Sequence, residues 1–162
     1  MSLQAWCAFI QASSVGTAIR ESALVFPVIE TAHVLAISLS VGLVLLFDLR
    51  LVSAALRAAT PEQIVRGLKP WYLAGFAIMF ATGGLLFWSE ALRCYQSGAF
   101  RWKMAFLALA GLNAALFEMK YEGRIGAWSE RIPGGAQAVG WCSLVCWAAV
   151  IALGRWTAYR LG

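Results

Sequence analysis

The chain has 162 residues, of which 61% are hydrophobic and 13% charged, and its mean hydropathy is +0.73. Soluble domains contain about 25% charged residues, so this composition excludes an ordinary soluble domain and predicts one integral membrane domain. The net charge is +5. In a membrane protein such an excess of Lys and Arg usually reflects topology, so we expect the bilayer and not a nucleic acid to be the partner.

Residues 1–22 are predicted to form an amphipathic helix at the membrane surface. Leu3, Trp6, Cys7 and Ile10 recur at helical spacing, with polar residues between them. The segment lacks the basic start and the cleavage site of a secretory signal peptide, so an interfacial helix is favoured.

Residues 23–162 are predicted to form an all-α, up-and-down bundle of four transmembrane helices. The predicted spans are residues 23–47, 71–88, 100–118 and 136–156. The third is the shortest, because only Met104 to Phe117 is uncharged and Lys103 has to extend towards the surface. The segment from Arg50 to Pro70 is polar enough for a loop, although apolar residues after Arg50 suggest that the first helix continues until Thr60-Pro61 stops it.

Four spans place both termini on the same side of the membrane. The cations of the two sides are nearly balanced, six against seven. The first loop alone holds four cations, so we predict that it is cytoplasmic and that both termini are periplasmic. These four are Arg50, Arg57, Arg66 and Lys69.

Glu30 and His33 are the only ionisable residues within the first predicted span, and their spacing puts them on one helical face. A carboxylate at that depth is costly unless it is paired, neutralised or hydrated, so such residues are often functional. Two interpretations stay open. Either the pair has a function, or a Glu–His hydrogen bond or an ion pair with Lys103 or Arg155 only holds helices together.

The middle layer of an up-and-down bundle would contain His33, Met79, Asn113 and the region of Cys142 and Cys146. Imidazole, thioether and thiolate suit copper, so the candidate metal ligands are His33, Met79 and Cys146. The candidate residues for binding another cofactor are His33, Glu30, Met79 and Asn113. Taken singly, Met79 and the cysteines are more often core packing, and Asn113 is more often an interhelical hydrogen bond.

The single histidine limits the cofactors. It excludes a haem held by two histidines of one chain and a histidine-rich zinc site. A haem b with one histidine ligand, copper, a quinone and no cofactor at all remain open.

Other polar and small residues have structural explanations. Lys103, Glu118 and Arg155 are predicted to belong to a structural polar network. Thr82-Gly83-Gly84 suggests a bent helix, or a close approach by a flat ligand or another backbone. Gly111 and Ala115 form a small-xxx-small pair, which favours helix packing.

Several short motifs in a fixed order resemble a bacterial family of small four-helix inner-membrane proteins whose activity is not established. The similarity covers roughly residues 20 to 158. The motifs are Pro27-x-x-Glu30-Thr31-x-His33, Asp48-Leu49-Arg50-Leu51, Thr82-Gly83-x-Leu85-Leu86-Phe87, Phe100-Arg101-x-Lys103, Ala110-Gly111-Leu112-Asn113-Ala114 and Gly154-Arg155.

The resemblance implies a location in the inner membrane and a distant, fold-level likeness to copper-resistance D-type proteins and b-type cytochrome bundles. Family members tend to have a histidine where this chain has Glu118. If that histidine and the one matching His33 form a haem or metal pair in relatives, this chain lacks half of it.

Three hypotheses for the function follow. The first is a redox or metal-handling membrane subunit that uses haem, copper or a quinone near Glu30 and His33. The second is a scaffold or assembly subunit without a cofactor. A transporter is the least supported, because the chain has no internal repeat. In the first two cases the small-residue stripes favour a homodimer or a larger membrane complex.

Overall fold

The computed structural model describes residues 2–52, 59–128 and 132–161, and every regular element in these ranges is a helix. A 3₁₀ helix spans Glu122–Ala127. The α-helices are α1 (Leu3–Gln11), α2 (Ser14–Glu21), α3 (Val25–Val52), α4 (Pro61–Ser89), α5 (Ala91–Gln96), α6 (Gly98–Tyr121) and α7 (Gly134–Leu161).

Four long helices, α3, α4, α6 and α7, form a bundle made of two antiparallel hairpins. The first hairpin is α3 with α4 and the second is α6 with α7, and α3 also packs on α7. The helices α4 and α6 do not pack closely on each other within the described residues. A cleft therefore runs between α4 and α6, with α3 and α7 behind it.

Three of the described helices, α3, α4 and α7, are long and apolar enough to cross a membrane. This confirms the all-helical fold and indicates a membrane protein. The helix α6 has 24 residues, but charges near both of its ends keep it outside this group.

The polar segment between the first two spans contains the start of a helix. The predicted continuation of the first helix from Val52 to Thr60 falls on residues 53–58, which lie outside the described residues. The Thr60 hydroxyl accepts a hydrogen bond from the Gln63 backbone at 3.2 Å, and the Gln63 side chain accepts one from the Thr60 backbone at 2.9 Å. Pro61 then occupies the first helical turn, where its missing N–H costs nothing. The helix α4 thus begins ten residues before Trp71. Arg57, which counted in the charge comparison, lies outside the described residues.

The amino-terminal residues form two short helices, and not the single helix that was predicted. The break is at Ser13, whose hydroxyl accepts a hydrogen bond from Gly16 N at 3.2 Å and so caps α2. The helix α1 packs on α5, and α2 packs on α4 and α3. The Arg20 guanidinium ties this layer to the bundle by donating to the carbonyls of Gln11 at 3.1 Å and Ser89 at 3.2 Å.

We call the end of the bundle covered by α1, α2 and α5 the capped end, and the opposite end, at the 3₁₀ helix, the far end. Cys7 on α1 and Cys94 on α5 are both buried at the capped end, as free thiols that interact electrostatically. Burial, and next the nearby Glu90 carboxylate, raise the pKa of Cys94 to about 11. Cys94 is therefore a poor nucleophile at neutral pH.

Small residues set the spacing of two helix pairs. A Cβ on Gly75 would lie 2.9 Å from the backbone nitrogen of Ser40, so α4 approaches α3 closely only because position 75 has no side chain. A Cβ on Gly140 of α7 would lie 2.9 Å from Val52 Cγ1 of α3. The packing predicted for Gly111 is not observed, since a Cβ there would meet nothing within 4 Å.

Candidate functional site

His33 lies in the half of the bundle next to the capped end, between α3 and α4. Its Nδ1 is 2.9 Å from the Thr82 hydroxyl oxygen. A Cβ on Gly83 would be 3.0 Å from His33 Cε1, so the imidazole edge occupies the space left by this glycine. The sequence Thr82-Gly83-Gly84 predicted either a bent helix or a close approach by a flat ligand or another backbone. A close approach is observed, but the group that approaches Gly83 is the His33 side chain of the same chain.

The contacts of Thr82 assign the tautomer of His33. The Thr82 hydroxyl donates to the Ile78 carbonyl of its own helix at 2.7 Å, as a threonine in an apolar helix commonly does. Its oxygen is then an acceptor for Nδ1–H of His33, and the Met79 carbonyl lies near the ring as a second acceptor. Nε2 of His33 therefore carries a lone pair, and no hydrogen bond of Nε2 is found within the described residues.

Lys103 and Glu30 are the charged neighbours of His33. The half-buried Lys103 side chain extends from α6 along α7, with Nζ 3.6 Å from the position of a Cβ on Gly154. Both Lys103 and Glu30 interact electrostatically with the imidazole. Glu30 is exposed on the bundle surface, and neither it nor Lys103 forms an ion pair in the described part of the chain.

The other candidate metal ligands lie apart from His33. The Met79 sulfur is 3.9 Å from the hydroxyl oxygen of Ser40, which lies two turns further along α3 than His33. Cys146 packs in the apolar core with Val41 and Trp147. Within the described residues no three His, Cys, Asp or Glu side chains form a group that could hold a metal ion. The ligand set suggested for copper is therefore not assembled.

Asn113 forms an interhelical hydrogen bond, which is one of the two roles expected for it from the sequence. Its Nδ2 donates to the Val139 carbonyl of α7 at 3.0 Å. Asn113 is ten residues from Lys103 on α6, about 15 Å along the helix axis, so it does not share the His33 layer.

The three residues of the predicted polar network lie at different ends. Glu118 accepts from the Lys69 ammonium at 3.0 Å at the far end, and Lys69 also pairs with Glu122. Lys103 is near the capped end, and Arg155, next to Gly154, is exposed. Glu118 is therefore far from His33, and a histidine at position 118 would be far from it as well.

Asp48 was not singled out from the sequence as a site residue. It is 4% exposed, the Ser143 hydroxyl of α7 donates a hydrogen bond to it, and its Oδ2 has no partner among the described residues. Asp48 is the only aspartate of the chain and comes shortly before the end of α3. A carboxylate near a helix end is usually exposed, whereas Asp48 is buried where Ser143 of α7 meets α3.

The fold and these polar layers define a helical membrane protein with ionisable side chains inside the bundle. The chain belongs to a family of unknown function, DUF6644, which it matches over residues 10–160. No curated protein and no solved structure matches it.

Proposed function

We propose that this protein is a small membrane subunit that binds a quinone headgroup at the His33 layer. The supporting observation is the hydrogen bond between His33 and Thr82, which leaves Nε2 of His33 as an acceptor while the Lys103 ammonium nearby has donors to offer. A quinone carbonyl accepts hydrogen bonds and a quinol hydroxyl donates them, so Lys103 suits the oxidised headgroup and His33 the reduced one. Glu30, one turn away on the bundle surface, is suited to exchange a proton with the ligand site.

The other two cofactors fit these surroundings less well. Copper at His33 lacks the Met79 and Cys146 side chains, which point elsewhere, and the Lys103 cation repels a metal ion. A haem with one histidine ligand needs a flat space beside the imidazole, and the α4 backbone at Gly83 already lies against the Cε1 edge of the ring.

Quinone binding is testable in detergent with a short-tailed quinone, such as decylubiquinone, and the fluorescence of the eight tryptophans as the signal. We expect Lys103→Met to weaken binding of the oxidised quinone about tenfold or more, since a hydrogen bond to a charged group contributes about 1.5–3 kcal/mol. His33→Leu should instead weaken binding of the reduced quinol, by a smaller factor, because that hydrogen bond joins two neutral groups. Arg101→Met is the matched control. It removes an exposed cation two residues from Lys103 and should leave the affinity unchanged.

Equal affinities for the wild type and all three variants would mean that the quinone only partitions into the micelle, and would refute the proposal. An absorption spectrum of the purified protein tests the other cofactors. A Soret band, or stoichiometric copper, that disappears in His33→Ala would replace the quinone with haem or copper.

A scaffold without a cofactor is the second candidate. It is favoured by the ion pairs of Lys69 with Glu118 and Glu122, which join α4 to α6 and the 3₁₀ helix without any ligand. Under this alternative, His33→Leu folds and assembles normally and the wild type binds no quinone. Native mass spectrometry in detergent, which also tests the proposed homodimer or larger complex, measures that assembly.

We further propose that α6 is a fourth membrane span and that α1 and α2 lie at the membrane surface. We also propose that the protein is located in a bacterial inner membrane, with both termini on the periplasmic side. The helix α6 is about 36 Å long, and its charged residues lie towards both ends, where their side chains can reach the headgroups. Alkaline phosphatase fused to either terminus should be active, and fused after Lys69 it should be inactive. The opposite pattern would reverse the orientation.

A further inference from the structure

A cavity of about 340 Å³ lies in the cleft between α4 and α6, in the half of the bundle next to the far end. Its size is at the lower end of the range for pockets that take small organic ligands. Lys69 bridges the cleft at the far end by pairing with Glu118 and Glu122. The lining includes five aromatic side chains, those of Phe47, Tyr72, Phe76, Phe117 and Trp147.

Asp48 is the polar group that gives this cavity a chemical preference. The carboxyl lines the cavity, is 4% exposed and has one hydrogen bond, from Ser143. The second oxygen, Oδ2, has no hydrogen-bond partner within the described residues. A buried carboxylate oxygen without a donor is costly, so this site favours a ligand that brings one.

The charges around the cavity also favour a cation. None of the residues that line the cavity is Lys, Arg or His, so no positive side chain of the lining compensates the charge of Asp48. Lys69 is engaged by the two glutamates at the rim. The faces of aromatic rings attract cations as well.

We propose that this cavity binds a lipophilic amine, with its ammonium group donating to Asp48 Oδ2 and its apolar part lying among the aromatic side chains. The mouth between α4 and α6 gives such a ligand a route from the lipid. The site is independent of the quinone proposed at the capped-end half, since Asp48 is fifteen residues from His33 on α3, about 22 Å along the axis.

The experiment compares 4-phenylbutylamine with its neutral analogue 4-phenylbutanol, using the purified full chain in detergent and isothermal titration. We expect the amine to bind the wild type about tenfold or more tightly than the alcohol, because only the amine completes a charged hydrogen bond. Asp48→Asn should abolish this preference. Glu21→Gln, which removes one negative charge from the exposed surface of the capped end, should retain it.

A wild type without preference for the amine would mean that water or a proton already satisfies Asp48, and would overturn the proposal. A preference that survives in Asp48→Asn would assign the amine to another site, with the same consequence.

A second pair of variants tests the cavity without altering Asp48. Gly111 lines the cavity in open space, so Gly111→Leu should occupy it and abolish binding of both probes without disturbing the fold. Gly84→Leu, at an open position on α4 outside the lining, should bind as the wild type does. Unchanged binding by a folded Gly111→Leu would refute the assignment. His33→Leu should not affect the amine, so this proposal and the quinone proposal fail separately.

Discussion

The close approach of α3 and α4 can be tested with two glycines of the same helix. Gly75→Ala places a Cβ 2.9 Å from Ser40 N and 3.0 Å from Ser40 Cβ. The Ser40 backbone cannot move without shifting α3, so the two helices have to separate. Gly84→Ala, in contrast, places its Cβ where nothing lies within 4 Å.

The magnitude follows from two opposing effects. Replacing a helical glycine with alanine stabilises a helix by about 1 kcal/mol at either position. An extra methyl in a well-packed contact costs about 1–3 kcal/mol, and this cost applies only at position 75. The gain from alanine is common to both variants, so the difference between their free energies of unfolding isolates the packing cost.

We therefore expect Gly75→Ala to be less stable than Gly84→Ala by about 1–3 kcal/mol. Titration of maltoside micelles with dodecyl sulfate, followed by far-ultraviolet circular dichroism, measures both unfolding transitions. If the two variants differ by less than about 0.5 kcal/mol, which is the range of substitutions that touch nothing, the close contact at Ser40 does not exist in solution.

The remaining predictions concern hydrogen bonds, a thiol and an ion pair. Thr82→Val should destabilise the protein by about 0.5–1.5 kcal/mol in the same titration, because Nδ1 of His33 loses a hydrogen-bond acceptor. Thr31→Val is the control, since the Thr31 hydroxyl donates only to its own helix. If Thr82→Val lowers the free energy of unfolding no more than Thr31→Val does, the contact between Thr82 and His33 is contradicted. Cys94, with a pKa raised to about 11 by burial, should resist a water-soluble maleimide at pH 8 while folded and react after unfolding in dodecyl sulfate, as mass spectrometry of the peptides would show. A double-mutant cycle of Lys69→Met and Glu118→Gln should give a coupling of about 0.2–1 kcal/mol, since the pair is partly exposed; a coupling of zero would mean that the ion pair does not hold α4 to α6.

The helical bundle was predictable because apolar length determines membrane spans. The predicted span 136–156 lies within α7, which already begins at Gly134, directly after Pro133. The start of α4 was missed because the capping box of Thr60 and Gln63 lies in a polar segment without apolar periodicity. Capping depends on single residues, and hydrophobicity does not report it.

The candidate site was predictable only in part. His33 could be identified as a candidate site residue because a histidine within an apolar span is rare, and the sequence alone shows this. Its partner Thr82 and its charged neighbour Lys103 come from other helices, and their relative rotation is set by packing. Asp48 gave little signal, because a carboxylate near a helix end is usually exposed, whereas Asp48 is buried where Ser143 of α7 meets α3.

The two polar layers have opposite chemical preferences, and both use α3. His33 has its Nδ1–H satisfied by α4 and a lysine from α6 nearby, so that layer offers donors to a neutral headgroup. Asp48 is held by Ser143 of α7, with one oxygen unpaired and no cation in the lining, so its layer attracts donors. A ligand that suits one layer is disfavoured by the other, because a cation is repelled by Lys103 and a quinone carbonyl by the Asp48 carboxylate. Binding of each probe should therefore respond to one of the two residues only.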